Sequence, residues 1–395
     1  MLSDLRVLDL STMIAAPMSA SLLADLGADV IKVERPGPGD PLRAFGTQAG
    51  GEGLYWKTLS RNKHAIALDL HSPQAQDIVR RLCAQADVLI ENFRPGTLER
   101  WNLSPTALRE KHPPLVVLRV TAYGQDGPYS DRPGFGTLAE ALAGLGSVSG
   151  FPDREPLLPA YPLADILAGH LGAYAVLAAV HHAKRSGRGD VIDLAIYESA
   201  LRILDMHITE HSVLGTEHER AGNRIGSSAP RGVYLCADDR WIALSGSTPS
   251  VAERVLRAVG GQSLVSDPRF QTNSDRVAHA AELDRYVGRW CAQRPRDQAV
   301  AELSALGCAV GPLESVGSMQ SNAHVLSRGA IAHLDDPELG TIAMPQIAPR
   351  FQHAKPEIRH AGPRWVGADT RSILRSRLGL TDAQISELVS SGAAE

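Results

Sequence analysis

One carboxylate heads an otherwise apolar stretch: Asp165 in LLPAYPLADILAGHLGAYAVLAAV, which runs from Leu157 to Val180. The residues after it read as a buried helix, and an unpaired acid in such a place is costly unless something requires it. Two roles fit the position. An acid at a helix start satisfies orphan backbone amides and the helix dipole. The same amides can stabilise a developing oxyanion, so a catalytic role is compatible with the capping one.

Other residues with chemical potential lie just past predicted strand ends. KVERPGPGD (32–40) leaves a strand through two glycines and two prolines, and Arg35 there suits a phosphate or a plain surface turn. ENFRPGTLERW (91–101) offers the amide of Asn92, the flat faces of Phe93 and Trp101, and the charges of Arg94 and Arg100. Aromatic faces beside guanidinium groups match a nucleotide base and its phosphates; a capped helix start over a core aromatic is the structural alternative. SRNKHAIALDLH (60–71) adds Arg61, Lys63 and His71, and all these loops are expected to converge on one crevice. TAYGQDGPYSDRPGFGTLAEALAGLGSVSG (121–150) carries glycines at 124, 127, 134 and 136, as backbone held close to another group would.

The elements that must position these loops alternate. Strands are expected at 5–11, 29–34, 64–70, 87–93 and 115–124, with helices at 16–27, 72–86 and 104–113 between them. Ser72-Pro73 and Ser104-Pro105 each place a capping serine before a proline suited to the first helical turn. This order implies an α/β fold with a Rossmann-like, doubly wound parallel sheet. The first loop, STMIAAP, lacks the G-x-G-x-x-G of dinucleotide sites, so Glu34 at the end of the second strand is not read as a ribose ligand. No G-x-x-x-x-G-K-[ST], G-x-S-x-G or H-E-x-x-H is present, which argues against ATP, a serine hydrolase elbow and a zinc site.

The rhythm changes at RGVYLCADDRWIALSG (231–246), two strands around Asp238-Asp239, with helices beyond them through 307. The expected organisation is a large Rossmann-like domain of residues 1–205 and 330–395, a small α+β domain of residues 225–315, and linkers at 206–224 and 316–329. Helix, turn at Gly379 and helix close the chain within 368–392.

Composition is that of an ordinary globular chain, 44% apolar and 21% charged, with a net charge of -4 that favours neither nucleic acid nor an anionic membrane. Cys83, Cys236, Cys291 and Cys308 form no C-x-x-C pair and read as reduced buried thiols, so no metal is expected. The start MLSDLRVLDLSTM does not read as a signal peptide, and ILAGHLGAYAVLAAVHH reads as too short and too interrupted by His170 to span a membrane. A cytoplasmic protein is expected.

Six ordered blocks together resemble the class III CoA-transferases, the CaiB/BaiF and formyl-CoA transferase family. They are LRVLDLSTMIAAPMSASLLADLGADVIKVERPGPGD, NKHAIALDL, ADVLIENFRPGTLERWNLS, YGQDGPYSDRPGFGTLAEALAGLGSVSG, PLADILAGHLGAYAVLAAV and GRGDVIDLAIYESAL. The resemblance implies that Asp165, with Gly169 four residues on, is the catalytic aspartate. It implies coenzyme A contacts at Ile14, Ala15, Arg35, Leu68 to His71, Asn92, Phe93, Arg94, Arg100, Thr121, Tyr123 and Gly124. Some relatives carry a lysine where His71 stands.

The implied reaction moves coenzyme A from a donor acyl-CoA to a carboxylic acid, through an aspartyl-acyl anhydride and an aspartyl-CoA thioester. CoA and acyl-CoA are then substrates, with no permanently bound cofactor. The partner implied is a second copy, in an interlocked homodimer, and GNRIGSSAP (222–230) stands where relatives have a glycine-rich lid. PGFGTLAEALAGL is the form seen in transferases acting on short dicarboxylates, succinyl-CoA-dependent ones among them. Arg43, Arg224 and Arg231 are candidates for a distal carboxylate. The alternatives are an α-methylacyl-CoA racemase, against which Phe135 stands where that family has a histidine, and a CoA-binding protein without turnover.

Overall fold

Six short strands form the centre of the fold in the computed structural model, which describes all 395 residues. They are β1 (Arg6–Asp9), β2 (Asp29–Glu34), β3 (His64–Ala67), β4 (Val88–Glu91), β5 (Val116–Thr121) and β6 (Val191–Ala195). All neighbours pair in parallel, in the order β3-β2-β1-β4-β5-β6. β1, β2, β4 and β5 bury nearly every residue, as strands covered on both faces must. The order reverses between β1 and β4, and in such sheets ligands bind outside the carboxyl ends at that reversal.

One face of the sheet packs on α1 (Ala15–Asp25) and on the long α7 (Leu163–Ser186), which lie against each other. Gly169 makes that approach possible, since a β-carbon there would come within 2.5 Å of the Met18 side chain. The other face is covered by α3 (Pro73–Cys83), α13 (Thr370–Leu378) and α14 (Asp382–Ser390), whose Ile78, Val79, Leu374 and Ile385 join Leu8, Ile66, Leu89 and Val117 in one apolar core. The Ser104 hydroxyl caps α5 (Pro105–Lys111) by accepting from Ala107 N at 3.2 Å; Ser72 precedes α3 without making that bond.

Two sequence expectations change here. His170 does not interrupt α7: its Nδ1 pairs with Ile166 O at 2.8 Å within a helix of 24 residues. By length and composition alone α7 could cross a membrane, yet its small-residue face, Ala164, Ala168, Gly169, Gly172 and Ala173, is buried in the fold. Nor is it buried all round, because Tyr174 stands 71% exposed.

Contacts divide the chain into two compact units: residues 1–145, 158–215 and 327–395, and residues 146–157 with 216–326. The first unit also holds α2 (Leu54–Leu59), α4 (Thr97–Arg100), α6 (Gly136–Leu142), α8 (Ile196–Leu201) and α9 (Asp205–Leu214). Its late antiparallel hairpin, β10 (Ile331–Asp336) and β11 (Gly340–Pro345), anchors α2: Lys57 meets Asp336 and Glu338, each at 2.9 Å.

In the second unit β7 (Arg231–Leu235), β8 (Trp241–Ser245) and β9 (Val310–Pro312) form an antiparallel sheet. With α10 (Pro249–Val265), α11 (Ala280–Cys291) and α12 (Arg296–Ala305) they enclose a core that includes Ile242, Val255, Phe270, Leu283 and Leu303. Segment 146–157 belongs to this unit, with Gly222 N donating to Gly150 O at 2.8 Å. All four cysteines are free and buried.

Candidate active site

The loop after β1 forms the floor of the site, and three residues distant in sequence set its shape. Asn92, just past β4, accepts from Thr12 N at 2.8 Å and donates to Thr12 O at 2.7 Å. Asp40 accepts from Met13 N at 3.2 Å, and Lys32 donates to Ser11 O. Met13 is held at φ 68°, a left-handed conformation rare for a residue with a side chain. Beneath the loop lies a buried charge set: Lys32 meets Asp40 at 2.9 Å and Lys63 meets Asp9 at 3.1 Å. Burial would push the Asp9 carboxyl up, but Lys63 and Lys32 together hold it below its ordinary value.

Lys63 and Arg61 therefore do not serve the crevice. Lys63 is taken up under the loop by Asp9 and the Pro17 carbonyl, and Arg61, before β3, binds Asp25 at the end of α1 and the Pro345 carbonyl. Glu34 likewise has a structural task, bonding Arg43 Nε at 2.6 Å and Asp40 N at 3.0 Å. Arg43 is fully committed, to Glu34, to the carbonyls of Pro363, Arg364 and Trp365, and over the Trp56 ring at 3.9 Å. It is not a free cation for a substrate carboxylate.

Above the floor lie two clefts that share Thr12. The first, about 520 Å³, gathers Arg35, Leu68, His71, Phe93 and Trp101 from the loops after β2, β3 and β4. Trp101 stands edge-on to Phe93 at 4.9 Å and to His71 at 5.3 Å, which leaves an aromatic wall beside the exposed Arg35. His71 Nδ1 pairs with Asp69 at 3.0 Å. The second cleft, about 840 Å³, contains Asp165 with Ile14, Ala15, Asn92 and Thr121. Phe45, Phe135 and Tyr161 make much of its wall apolar.

Four residues expected at the site line neither cleft. Arg94 and Arg100 are exposed, the latter bonded to Thr97; Tyr123 packs edge-on to Tyr129 at 5.7 Å; Gly124 N is tied to Thr121 Oγ1 at 2.9 Å. His207 and His211 stand one turn apart on α9, but no group of three or more metal-ligating side chains forms anywhere.

Asp165 sits in the first turn of α7, three residues after Pro162 at the cap position. It does not cap the helix. No cation or hydrogen bond balances its carboxylate, and burial, together with the nearby Glu140 carboxylate, raises it to about 6. Ala164 N instead donates to Glu140 Oε1 at 3.1 Å. Gly136 at the start of α6 closes over the acid, since a β-carbon there would lie 2.4 Å from Asp165 Oδ2. Tyr55 on α2 faces the same point: burial first, and the charge of Asp165 second, push its hydroxyl up.

Sequence reasoning missed Glu140 and Tyr55. Glu140 had a signal, a lone acid on the apolar turn TLAEALAGL, one helical turn from Gly136. Tyr55 had none, because only the fold brings α2 beside α7.

An unpaired, half-buried carboxylate whose affinity for protons is raised can act as a nucleophile toward an activated acyl group. Comparison with known proteins shows the family of the chain. The model of CoA-transferase family III matches residues 2–370. A succinyl-CoA–D-citramalate CoA-transferase of Chloroflexus aurantiacus is 38% identical over 388 residues, 98% of this chain and 96% of that one. The human succinyl-CoA:glutarate CoA-transferase is 29% identical over 396 residues, covering 100% of this chain and 90% of that one. Among solved structures, a CaiB/BaiF family protein from Brucella suis superposes with a TM-score of 0.84 at 29% identity, over 95% of this chain and 99% of that one.

Proposed function

The chain belongs to CoA-transferase family III, and from that premise we propose that it carries coenzyme A from succinyl-CoA to a short dicarboxylic acid by covalent catalysis on Asp165. The observation that carries this reading is the state of Asp165 itself, an unbalanced carboxylate raised to about 6 at one end of adjoining clefts. The aromatic wall of Phe93 and Trp101, with Arg35 beside it, suits the adenine and phosphates of coenzyme A at the other end.

In this reading an Asp165 oxygen attacks the thioester carbonyl. The C–S bond breaks, the CoA thiolate leaves, and an aspartyl-succinyl anhydride remains. The thiolate then attacks the aspartyl carbon, which frees succinate and leaves an aspartyl-CoA thioester. An acceptor carboxylate repeats the attack, the thiolate leaves again and takes the acceptor's acyl carbon, and Asp165 is restored. The overall exchange of one thioester for another is close to isoenergetic while the anhydrides lie above it, so positioning and charge placement dominate the catalysis. Exclusion of water protects the anhydride and thioester intermediates.

The choice of donor and acceptor rests on relatives described as acting with succinyl-CoA on D-citramalate, L-malate and glutarate. Phe135 in the cleft brings no proton-carrying group, which weighs against a racemase. We also propose a homodimer: α9 buries none of its side chains and exposes Met206, Ile208, Val213 and Leu214 around its circumference, apolar surface that a second chain would cover.

The test is exchange from succinyl-CoA to citramalate, malate, glutarate and monocarboxylate controls, read by mass spectrometry. Formation of a dicarboxyl-CoA by the native protein and not by Asp165→Asn is expected. Exchange confined to monocarboxylates would overturn the acceptor class, and full activity of Asp165→Asn would overturn the mechanism.

A further inference from the structure

Helix α6 approaches the nucleophile with two residues one turn apart. Gly136 lies against the Asp165 carboxylate, and Glu140 reaches the next amide of the same turn, Ala164 N, at 3.1 Å. Glu140 is 3% exposed, and no cation pairs with it either. Two carboxylates are thus packed together at the start of α7 with nothing of opposite sign between them. The like charges oppose each other at close range, and a glutamine would keep the bond from Ala164 N, in its weaker neutral form, without that repulsion.

We propose that Glu140 is a positioning residue for Asp165, pinning the first turn of α7 and placing beside the nucleophile a negative charge whose repulsion covalent attachment relieves. The proposal rests on the reading of Asp165 as nucleophile. Its logic is differential. Free Asp165 is an anion and feels the Glu140 charge, whereas the aspartyl anhydride and the aspartyl-CoA thioester are neutral at that side chain and do not. Interactions that destabilise the resting anion more than the adduct favour the chemical step.

The groups facing Asp165 are few. Glu140 on α6 acts on it, and the Tyr55 hydroxyl on α2 feels it in turn. From α1 the facing turn, Ala15 to Ser19, holds no titratable side chain, and α8 presents Ile196 to the cleft.

Protonation and acylation remove the same charge from Asp165, so one repulsion governs both. In Glu140→Gln the acidic limb of the pH profile of kcat/KM should move to lower pH by about 0.3 to one unit. The equilibrium constant for forming the aspartyl-CoA thioester from succinyl-CoA, read by intact-protein mass spectrometry against added succinate, should fall by the matching factor, about two- to ten-fold. Substrate titrations are common to both proteins and drop out of the comparison. Agreement of the two shifts, with unchanged thermal melting at neutral pH or a higher one, supports the proposal. A purely structural Glu140 would instead lower the melting temperature or kcat without moving the limb, and that result overturns it. An unmoved limb and unchanged adduct level in Glu140→Gln, with Asp165→Asn inactive, overturns the role of Glu140 and leaves the nucleophile standing. Retained exchange by Asp165→Asn overturns both.

Discussion

Replacing Asp165 by asparagine is expected to stabilise the fold while stopping the reaction. The carboxyl rises from 3.8 to about 6 on folding, with burial as the larger cause and Glu140 as the second. Two units correspond to about 3 kcal/mol of unfavourable ionisation, and the partial exposure of the side chain reduces this to about 1–2 kcal/mol. The sign follows from proton binding: the folded state holds the Asp165 proton at pH values where the unfolded state has lost it. Stability therefore falls as pH rises through the window from 3.8 to about 6, and the full cost is present above it.

Asparagine removes the cost without removing volume. At pH 8 the variant should melt roughly 1–3 °C higher than the native protein. At pH 4.5 the gain should shrink to about a third of its full value, because the folded state keeps its proton there and only part of the cost has developed. Paired calorimetric scans at the two pH values are the assay. A variant less stable than native at pH 8, or a gain equal at both pH values, would refute the assignment of an uncompensated anion at this position.

Gly136→Ala should lower kcat by about 100-fold while leaving the Kd for coenzyme A within about two-fold, since the added carbon displaces Asp165 and not the nucleotide loops; steady-state kinetics and calorimetric titration separate the two. Trp101→Ala should raise the KM for the CoA donor about ten-fold with kcat nearly unchanged, the mark of binding remote from the reacting carbonyl. Lys63→Met leaves Asp9 buried with half its positive surroundings removed and should cost about 3–5 kcal/mol in urea unfolding, much of it recovered in the double variant Asp9→Asn, Lys63→Met.

The parallel sheet was legible because its strands are rich in β-branched and other apolar residues and two of its helices start at Ser-Pro pairs, both local signals. Asp165 was legible for a related reason: an acid in the apolar turn PLADILAG stands out against its neighbours. The floor of the site was not. Asn92 and Asp40 shape the loop at Thr12 and Met13 across sequence gaps of 80 and 27 residues, and no local pattern announces such bonds. Charge alone also misled, since Arg61 and Lys63 resemble crevice cations in sequence but pair with the buried Asp25 and Asp9. Apolar composition overstated the burial of α7, where Tyr174 faces outward from the same run that packs Ala168 and Gly172 inward. The β10–β11 hairpin, which holds α2 and hence Tyr55 in place through Lys57, carried no strand signal that the alternating pattern could isolate.

The central claim is a covalent bond to Asp165, and peptide mapping after brief incubation with succinyl-CoA tests it most directly. The account predicts a coenzyme A thioester on the peptide bearing Asp165, convertible by hydroxylamine to a hydroxamate at that residue and absent from Asp165→Asn. Continued CoA exchange with no modification at Asp165, or the same adduct on another carboxylate, would contradict it.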